Sequence, residues 1–377
     1  MTKVALVAHW DWVLYNFRLP LALRLRERGL DIALICPRGE YVGRLQDAGL
    51  RWLDWRVERH GMNPLRDAVS LLRLAALYRR ERFHAVQHFT IKPALYGSLA
   101  ARLARVPTVI NTFTGLGFLF SGDPTAARLR PLVRALLRWL LRLPSVHTVF
   151  QNEGDRGYFV ESGLAPAAKT TLIAGSGVDT DRFAPGRATA IGHDIIVLTA
   201  ARLLWDKGIG EFIDVAQALR ARGVRARFWI AGQPDPTSPS AVPAETLRAW
   251  RRAGPVEFLG YRKDMPLLLR EASIAVLATS YQEGLPLFLL EAAATGLPLV
   301  ATDIDGCRLA VRPGVNGLLV PVKDAAALAD AIAHLVADPA LRARMGRASR
   351  ALAVEEFAEA RVLDAYEALY RHLGALT

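Results

Sequence analysis

The fold of this chain is decided by residues 280–296, which read Ser280-Tyr281-Gln282-Glu283-Gly284-Leu285-Pro286-Leu287-Phe288-Leu289-Leu290-Glu291-Ala292-Ala293-Ala294-Thr295-Gly296. Short apolar runs at 274–277 and 299–302 lie on either side and predict two buried strands. Between them, residues 286–295 have the length and composition of a helix, with a proline in the first turn and a glycine beyond the end. This stretch therefore predicts a strand–loop–helix–strand unit of an α/β sheet.

Two carboxylates in this unit indicate a possible ligand site. Glu283 lies on the predicted strand-to-helix loop, and Glu291 lies on the helix among Leu, Phe and Ala. A carboxylate in apolar surroundings must be paired, or must accept hydrogen bonds from a molecule that enters the site. The helix N-terminus, together with Gly284, provides N–H groups for an anion or for hydroxyls. From spacing alone, a structural role in which both glutamates pair with arginines is equally well supported.

Length and composition predict two globular domains. The 377 residues are 52% hydrophobic, which is enough for two cores in domains of roughly 180 residues each. The two cysteines, Cys36 and Cys307, are too few for a disulfide framework and favour a reducing compartment. The N-terminus does not read as a signal peptide, and no apolar run has the length of a membrane span.

Positive charge is concentrated in the first half of the chain. Residues 1–185 contain 26 Lys and Arg against 15 Asp and Glu, a balance of +11, whereas residues 186–377 contain 22 against 21, or +1. A basic half favours an anionic partner, which could be phosphate groups, a membrane surface or nucleic acid. We expect no nucleic acid, because the basic residues alternate with leucine on amphipathic helices and no recognition motif is visible.

Strand and helix signals alternate through both halves, which indicates two doubly wound parallel sheets. Predicted strands are 4–8, 32–36, 85–88, 108–113 and 147–151 in the first half, and 195–200, 227–231, 256–259, 274–277, 299–302 and 317–320 in the second. We expect domains at 1–185 and 186–360, with a hinge within 181–192. Residues 361–377 are predicted to form a helix that crosses back to the first domain.

A second candidate loop, Ala200-Ala201-Arg202-Leu203-Leu204-Trp205-Asp206-Lys207-Gly208, follows the first strand of the second half. Arg202 and Lys207 lie on a strand-to-helix turn, and Gly208 allows a ligand to approach the start of the helix. Two cations with helix N–H groups suit a diphosphate, although a solvated turn explains this loop equally simply when it is taken alone. Because the carboxyl ends of parallel strands meet at one edge, we expect this loop to lie beside the loop of Glu283.

Together these motifs resemble glycosyltransferase family 4. The resemblance rests on Arg202…Lys207-Gly208, Glu283-Gly284-Leu285-Pro286 with Glu291, Gly314…Asn316-Gly317-Leu318-Leu319-Val320, and Gly175-Ser176-Gly177-Val178-Asp179…Phe183. It covers nearly the whole chain and implies a retaining, nucleotide-sugar-dependent enzyme of the α/β class with the GT-B fold. In that fold two Rossmann-like domains face each other across a cleft, and C-terminal helices pack back toward the first domain. Residues 201–208 and 305–307 are most similar to the branch that adds N-acetylhexosamine to polyprenyl-diphosphate-linked sugars.

The resemblance implies a donor site in the second domain. Arg202 and Lys207 would bind the donor diphosphate, Glu291 the ribose hydroxyls and Glu283 the transferred sugar, so that Glu283, Arg202 and Lys207 form the catalytic set. The donor-binding residues implied are Arg202, Lys207, Gly208, Tyr261, Glu283, Gly284, Leu285, Pro286, Leu287 and Glu291. The donor is expected to be UDP-linked. Neither a metal ion nor a cofactor is expected, because cations and helix N–H groups replace the metal in this family.

The first domain departs from the family pattern in two loops. Thr114-Gly115 stands where many members have a His-Gly pair, and residues 9–18 replace a Gly-Gly loop. A catalytic histidine is therefore not carried over, and His9 and His88 are interpreted as structural. The acceptor-binding candidates are Asn16, Arg18, Thr114 and Gly115.

Residues 128–143 predict an amphipathic basic helix. Four arginines spaced four residues apart share one face, and leucines with Trp139 cover the rest. This pattern is typical of a helix at a membrane interface, or of a core-packed helix with a solvated Arg face. With the basic first half, we expect peripheral binding to the inner, cytoplasmic face of the cell membrane through this helix.

The sequence favours a transferase that moves N-acetylhexosamine from a UDP donor to a polyprenyl-diphosphate-linked saccharide, in surface-glycan or glycoprotein-glycan assembly. One alternative is transfer of glucose, galactose or mannose to a different acceptor. Another is a UDP-sugar 2-epimerase of the same fold, which would need acid–base side chains around the sugar. The sequence leaves the donor sugar, the linkage and the oligomeric state open.

Overall fold

The structure, a computed structural model, describes residues 1–58, 63–115, 124–186, 194–236, 238–280 and 284–376, without the side chains of Pro64 and residues 124–129. It divides into two compact units, Met1–Ser176 with Arg361–Thr377, and Gly177–Ala360. The two-domain α/β architecture is confirmed. Residues 177–185 belong to the second unit rather than the first, because Arg270 Nε donates to Ala184 O at 3.0 Å and Arg350 Nη1 donates to Thr180 O at 2.8 Å.

The first unit contains a seven-stranded parallel sheet with the order β3-β2-β1-β4-β5-β6-β7. Its strands are β1 (Lys3–Val7), β2 (Asp31–Cys36), β3 (Arg51–Asp54), β4 (Ala85–Phe89), β5 (Thr108–Phe113), β6 (Val146–Phe150) and β7 (Thr170–Leu172). Successive strands extend outward from β1 in one direction and from β4 in the other. The strand order therefore reverses between β1 and β4, which we call the first switch point.

Among the described residues, seven α-helices connect these strands. They are α1 (Asp11–Val13), α2 (Leu19–Glu27), α3 (Val42–Asp47), α4 (Pro64–Glu81), α5 (Ile91–Ala104), α6 (Pro124–Leu141) and α7 (Glu153–Glu161), with a π-helical turn, Leu14–Arg18, between α1 and α2. The N-terminus of α4 shows why a helix begins there. Asn63 Oδ1 accepts hydrogen bonds from Leu65 N and Arg66 N at 3.1 and 3.2 Å, and a proline occupies the first position.

The second unit contains a six-stranded parallel sheet with the order β10-β9-β8-β11-β12-β13. Its strands are β8 (Ile196–Ala200), β9 (Arg227–Ala231), β10 (Glu257–Gly260), β11 (Ile274–Leu277), β12 (Leu299–Thr302) and β13 (Gly317–Val320). Its helices are α8 (Ile209–Ala221), α9 (Ala244–Ala253), α10 (Met265–Glu271), α11 (Leu287–Ala294), α12 (Asp305–Ala310), α13 (Ala325–Ala337) and α14 (Pro339–Glu356), followed by α15 (Glu359–His372). The order reverses between β8 and β11, the second switch point.

Helices pack on both faces of the first sheet through buried apolar side chains. Helices α4 to α7 cover one face through residues such as Leu74, Leu137 and Phe159. On the other face, α2, α3 and the end of α15 pack together, with Tyr366 and Tyr370 of α15 in the core. The return of the C-terminal helix to the first unit is thus driven by burial of large aromatic side chains.

Every predicted strand is present to within one residue, but β3 and β7 were missed. Both lie at the edges of the first sheet, contain four and three residues, and are partly exposed. An edge strand of this kind needs no continuous apolar run, which is the signal on which the prediction depended.

Candidate donor site

Two loops meet at the second switch point. One connects β8 to α8 and the other follows β11. The carbonyl oxygen of Asp206 accepts hydrogen bonds from Thr279 Oγ1 at 3.0 Å and from Ser280 N at 2.9 Å. The expectation that these loops lie side by side is therefore confirmed.

Gly208 allows this close approach. Its φ is +71°, and a Cβ atom built there would lie 2.1 Å from the carbonyl oxygen of Ala278. No L side chain fits this space without movement of the backbone. Helix α8 begins at the next residue, Ile209, so its N-terminus lies directly behind the loop. A glycine at this position thus combines a tight loop with access to a helix N-terminus, where anions are stabilised.

An ion pair orients Arg202 at the carboxyl edge of the sheet. Its Nη1 lies 2.7 Å from Asp235 Oδ2, on the loop after β9, and the arginine side chain keeps 39% of its surface exposed. Leu203 N also donates to Gln233 O at 3.1 Å, which ties the same two loops together. Lys207 closes the short 3₁₀ turn Trp205–Lys207 and is half-buried. Both predicted cations thus lie on the loop that enters α8.

Glu291 lies one turn inside α11, half-buried among leucines and alanines. Within the described ranges no side chain or backbone N–H donates to its carboxyl group. Burial raises the pKa of Glu291 to about 7, and the charge of Arg182 acts in the opposite direction. A carboxyl group with a raised pKa and no hydrogen-bond donor among the described residues is typical of a binding or catalytic site.

Helix α11 is held in place from its C-terminal end. Arg350 Nη1 donates to the carbonyl oxygen of Ala294 at 2.8 Å, where a cation interacts favourably with the helix dipole. Gly346 of α14 packs so closely that a Cβ atom there would lie 2.2 Å from the oxygen of Gly296. At the other end, the cap residue Pro286 has no side-chain acceptor, so the N-terminus lacks a side-chain cap. The helix is therefore fixed at the end that faces away from the loop.

The other predicted donor residues are distributed along the same edge. Gly284 and Pro286 are buried, and Leu285 and Leu287 are half-buried, at the start of α11. Tyr261 follows the edge strand β10 and is 46% exposed. Glu283, predicted to contact the sugar, lies outside the described residues with Tyr281 and Gln282.

Two sequence families cover most of the chain. Residues 3–152 match the family described as glycosyl transferase 4-like, and residues 194–338 match glycosyl transferases group 1. The chain belongs to the GT-B glycosyltransferases. The predicted family and its fold are thereby confirmed.

Two relatives of this glycosyltransferase have names that specify sugars linked to diphospho-undecaprenol. It is 29% identical over 359 residues to the N,N'-diacetylbacillosaminyl-diphospho-undecaprenol alpha-1,3-N-acetylgalactosaminyltransferase of Campylobacter jejuni, with 92% of each chain covered. It is 26% identical over 330 residues to the UDP-Gal:alpha-D-GlcNAc-diphosphoundecaprenol alpha-1,3-galactosyltransferase of Escherichia coli, covering 82% of this chain and 81% of the relative. Its fold is similar to that of Anabaena HepE in complex with UDP, with a TM-score of 0.78, 18% identity and coverage of 99% and 100%.

The acceptor candidates of the glycosyltransferase follow strands at or beside the first switch point. Asn16 is exposed and donates from Nδ2 to Trp12 O at 3.0 Å, whereas Arg18 is buried. Thr114 and Gly115 follow β5, the neighbour of β4, and are half-buried. The topology therefore places all four at the carboxyl edge of the first sheet.

Two histidines at strand ends have structural partners in the glycosyltransferase. The ring of His88 is fully buried, with Nδ1 2.8 Å from Asn111 Oδ1 and Nε2 3.0 Å from Tyr78 Oη. Burial lowers the pKa of His88 to about 4, so the ring is neutral. His9 Nδ1 lies 3.0 Å from Oγ1 of Thr90. The structural interpretation of His88 is supported.

The arginines of α6, together with Arg142 just after its end, contact α7 and the turn that follows it. Arg138 and Arg142 donate from Nη2 to the carbonyl oxygens of Ser162 and Gly163 at 3.0 and 3.1 Å, and Arg134 donates to Tyr158 Oη. The Arg face therefore stabilises the packing of α6 against α7 and the turn after it. Among the side chains of α6 that the structure describes, the most exposed apolar ones are instead Leu132 and Trp139, at 69% and 50%. No described helix is long and apolar enough to cross a bilayer.

Two contributors to the second switch point, Asp235 and Arg350, and one at the first, Thr90, were not found from the sequence. Asp235 orients Arg202, Arg350 fixes α11, and Thr90 adopts φ +75° and ψ 166°, a region used almost only by glycine. Each acts through a partner far away in the chain or through its own backbone angles. None of these produces a local sequence signal.

Proposed function

We propose that this glycosyltransferase moves N-acetylhexosamine from a UDP donor to a polyprenyl-diphosphate-linked saccharide with retention of anomeric configuration. The Campylobacter relative, similar over almost its whole length, is named for such an acceptor, and the Anabaena neighbour was crystallised with UDP. The observation that carries the proposal is the second switch point. There two cationic residues and a glycine at a helix N-terminus lie on one loop. The carboxyl group of Glu291, which has no hydrogen-bond donor in the part of the chain that the structure describes, follows the other loop.

The donor would bind at these loops. Arg202 and Lys207, with the N-terminus of α8, would hold the diphosphate, and Glu291 would accept hydrogen bonds from the ribose hydroxyls. Glu283 would contact the transferred sugar, and Tyr261 would lie near the base. Hydrogen-bond donors and cations arranged in advance around a leaving group usually supply the largest part of catalysis.

Transfer would occur from the front side. The bond between the anomeric carbon and the diphosphate breaks while the acceptor oxygen bonds to the same face, and the hydroxyl proton leaves with a phosphate oxygen. Negative charge grows on the diphosphate as it departs, which is the charge that Arg202 and Lys207 would stabilise. With these cations in place, we propose that no divalent metal is required.

The acceptor would bind at the first switch point. Asn16, Arg18, Thr114 and Gly115 lie at that edge and provide side-chain and backbone hydrogen-bonding groups. The positive charge of this half would favour a diphosphate-bearing acceptor.

Peripheral binding to an anionic membrane would use the helical layer that contains α4 and α6. Leu132 and Trp139 project from α6, and Leu65, Val69 and Leu72, which share one face of α4, are 80%, 48% and 61% exposed. Exposed apolar side chains beside arginines are typical of an interfacial helix. This assignment supports localisation to the inner face of the cell membrane.

The proposal is tested by transfer to a water-soluble short-prenyl-diphosphate saccharide, with UDP-N-acetylgalactosamine and UDP-N-acetylglucosamine as donors. NMR of the product should show the donor's anomeric configuration. In a parallel thermal-shift screen, UDP-sugars should stabilise the protein more than GDP- or ADP-sugars do. Inversion, a preference for GDP or ADP, or release of an epimerised free sugar without transfer would each contradict the proposal.

A further inference from the structure

Arg18 is a buried cation without a hydrogen-bond acceptor in the described part of the chain. It is 2% exposed, and its Nε is buried without a partner. The guanidinium carbon lies 4.5 Å from the centroid of the Phe89 ring, and this cation–π contact offsets only a part of the lost hydration. Buried arginines normally pair with carboxylates, because an uncompensated charge in apolar surroundings is strongly unfavourable. The environment of Arg18 is therefore that of an anion-binding residue.

A second group without a partner lies nearby. Tyr366 of α15 is 1% exposed, and its Oη has no hydrogen-bond partner among the described residues. It packs in the same apolar cluster as Phe89, over whose ring the Arg18 guanidinium lies. Tyr370, one turn along the same helix, differs because its Oη donates to Gln87 Oε1 at 2.8 Å. A guanidinium N–H and a phenol O–H without acceptors could both donate to one oxyanion.

The position of Arg18 in the sheet is that of a ligand site. Phe89, on which the guanidinium lies, is the last residue of β4 at the first switch point. Helix α5 begins at Ile91, and its cap residue Thr90 makes no side-chain capping hydrogen bond. Open α/β sheets bind ligands at this edge, and a helix N-terminus favours negative charge.

We propose that Arg18 and Tyr366 bind a phosphate group of the acceptor diphosphate. This inference rests on the proposed function, and it adds the residues by which the enzyme distinguishes a diphosphate-linked saccharide from a neutral glycoside of the same sugar. The chemistry recognised is a phosphate oxyanion. Free pyrophosphate and anionic lipid head groups share that chemistry, so the experiment separates them.

The first measurement is calorimetric binding of inorganic pyrophosphate to the full chain saturated with UDP, which occupies the donor loops. Arg18→Met should weaken binding at least tenfold, Arg18→Lys less, and Tyr366→Phe about threefold. The matched control is Arg24→Gln, which removes an ion pair of 3.1 Å between Arg24 of α2 and Asp364 of α15 and should bind as the parent does. Unchanged binding in Arg18→Met would overturn the inference.

Folding is separated from binding by the same variant. Because Met removes an unpaired buried charge, Arg18→Met should melt at the same temperature as the parent or higher. A clear drop in its melting temperature, with equal losses on both acceptors described next, would show that Arg18 is structural.

The second measurement compares acceptors. Arg18→Met should raise KM for a short-prenyl-diphosphate saccharide at least tenfold and leave KM for the neutral glycoside unchanged. Loss of binding to anionic vesicles with unchanged pyrophosphate binding would assign Arg18 to a lipid head group and contradict the proposal. The parent could fail to use any diphosphate-linked acceptor while Arg18→Met still binds pyrophosphate more weakly than the parent. That result would contradict the proposed function and would still support an anion-binding site at Arg18.

Discussion

The two switch points of this molecule have the same topology but differ in the side chains that surround them. At the second, between β8 and β11, the loops are short, and they present cations, glycines and backbone N–H groups. At the first, between β1 and β4, the edge consists of stacked tryptophans, a π-helical turn and a buried arginine. Trp10 and Trp12 have ring centroids 4.7 Å apart there. This difference is why we propose a nucleotide donor at the second switch point and an amphipathic acceptor with a charged group at the first.

This difference also explains how the two sites are encoded. The residues proposed to bind the donor at the second switch point lie mainly within two stretches of sequence, 201–208 and 283–291, with Tyr261 and the ion-pair partner Asp235 outside them. The first draws on residues 18, 90 and 366, which come together only after folding. A site made from loops and helix termini can therefore be read as a motif, whereas a site made from distant side chains cannot.

The largest expected effect is a loss of kcat when a cation is removed from the second switch point. Lys207→Ala should lower kcat by about 10² to 10³, since it removes a cation from the departing diphosphate. Unfolding free energy should change by no more than about 0.5 kcal/mol, because the residue lies on a half-buried loop. Arg220→Ala, at the far end of α8, is the control and should leave kcat unchanged. Steady-state kinetics near the parent value for Lys207→Ala would remove this residue from the donor site.

The next effect concerns the space between the two loops. Gly208→Ala places a Cβ atom 2.1 Å from Ala278 O, whereas Gly254→Ala, at a similar φ of +69°, meets nothing within 4 Å. Gly254→Ala should cost about 1 kcal/mol of unfolding free energy for the backbone angle alone, and Gly208→Ala about 3 kcal/mol. Urea denaturation measures both. Equal costs in the two variants would mean that the loops at the second switch point are not packed as described.

Glu291 supplies a pH-dependent test. Because its folded pKa of about 7 exceeds the ordinary value of 4.5, its contribution to stability is full below pH 4.5 and is lost as the pH rises toward 7. Glu291→Gln should therefore be more stable than the parent at pH 8, by up to about 3 kcal/mol, and differ little at pH 4. Denaturation across this range measures the difference, and a Gln variant that is less stable at pH 8 would contradict the assignment.

The same carboxyl group should make UDP binding depend on pH. If the ionised form accepts the ribose hydroxyls, the parent should bind UDP about tenfold more weakly at pH 6 than at pH 8, beyond the titration of UDP itself. Glu291→Gln reports that background and should bind UDP more weakly than the parent at pH 8. Equal affinity of the two proteins at pH 8 would remove Glu291 from the nucleotide site.

The smallest effect concerns the proposed membrane contact of the first unit. Changing both Leu132 and Trp139 to Ser should weaken binding to anionic vesicles about tenfold, because apolar surface no longer enters the interface. The arginines of α6 are retained, so its contacts with α7 remain. Val354→Ser, which alters a residue of the second unit that is 41% exposed, is the control. Vesicle sedimentation in which the double variant and the parent bind alike would exclude α6 from the membrane contact.

Much of the fold could be predicted because parallel strands buried on both faces are continuous apolar runs. The meeting of the two donor loops followed from topology, since β8 and β11 were predicted as strands whose carboxyl ends share an edge. The roles of all the predicted site residues stay predictions, and these include Arg202, Lys207, Glu283, Glu291, Tyr261 and the acceptor residues.

Other features depend on tertiary contacts that a sequence pattern does not contain. The spacing of the arginines predicts that they share one helix face, but it does not predict that they donate to carbonyl oxygens on the turn after α7. Residues 11–18 gave no helical signal, although they form α1 and the π-helical turn. The burial of Arg18 arises from a contact with Phe89 and from α15, more than three hundred residues away.

The measurement that tests the central claim most directly is hydrogen exchange of the full chain with each substrate separately. UDP should slow exchange in peptides that cover 201–208 and 284–291, and a short-prenyl-diphosphate saccharide should slow exchange in peptides that cover 9–18, 90–92 and 114–115. Each ligand should leave the other set unchanged. Protection of the first set by the saccharide, or of the second by UDP, would contradict the assignment of donor and acceptor to the two switch points.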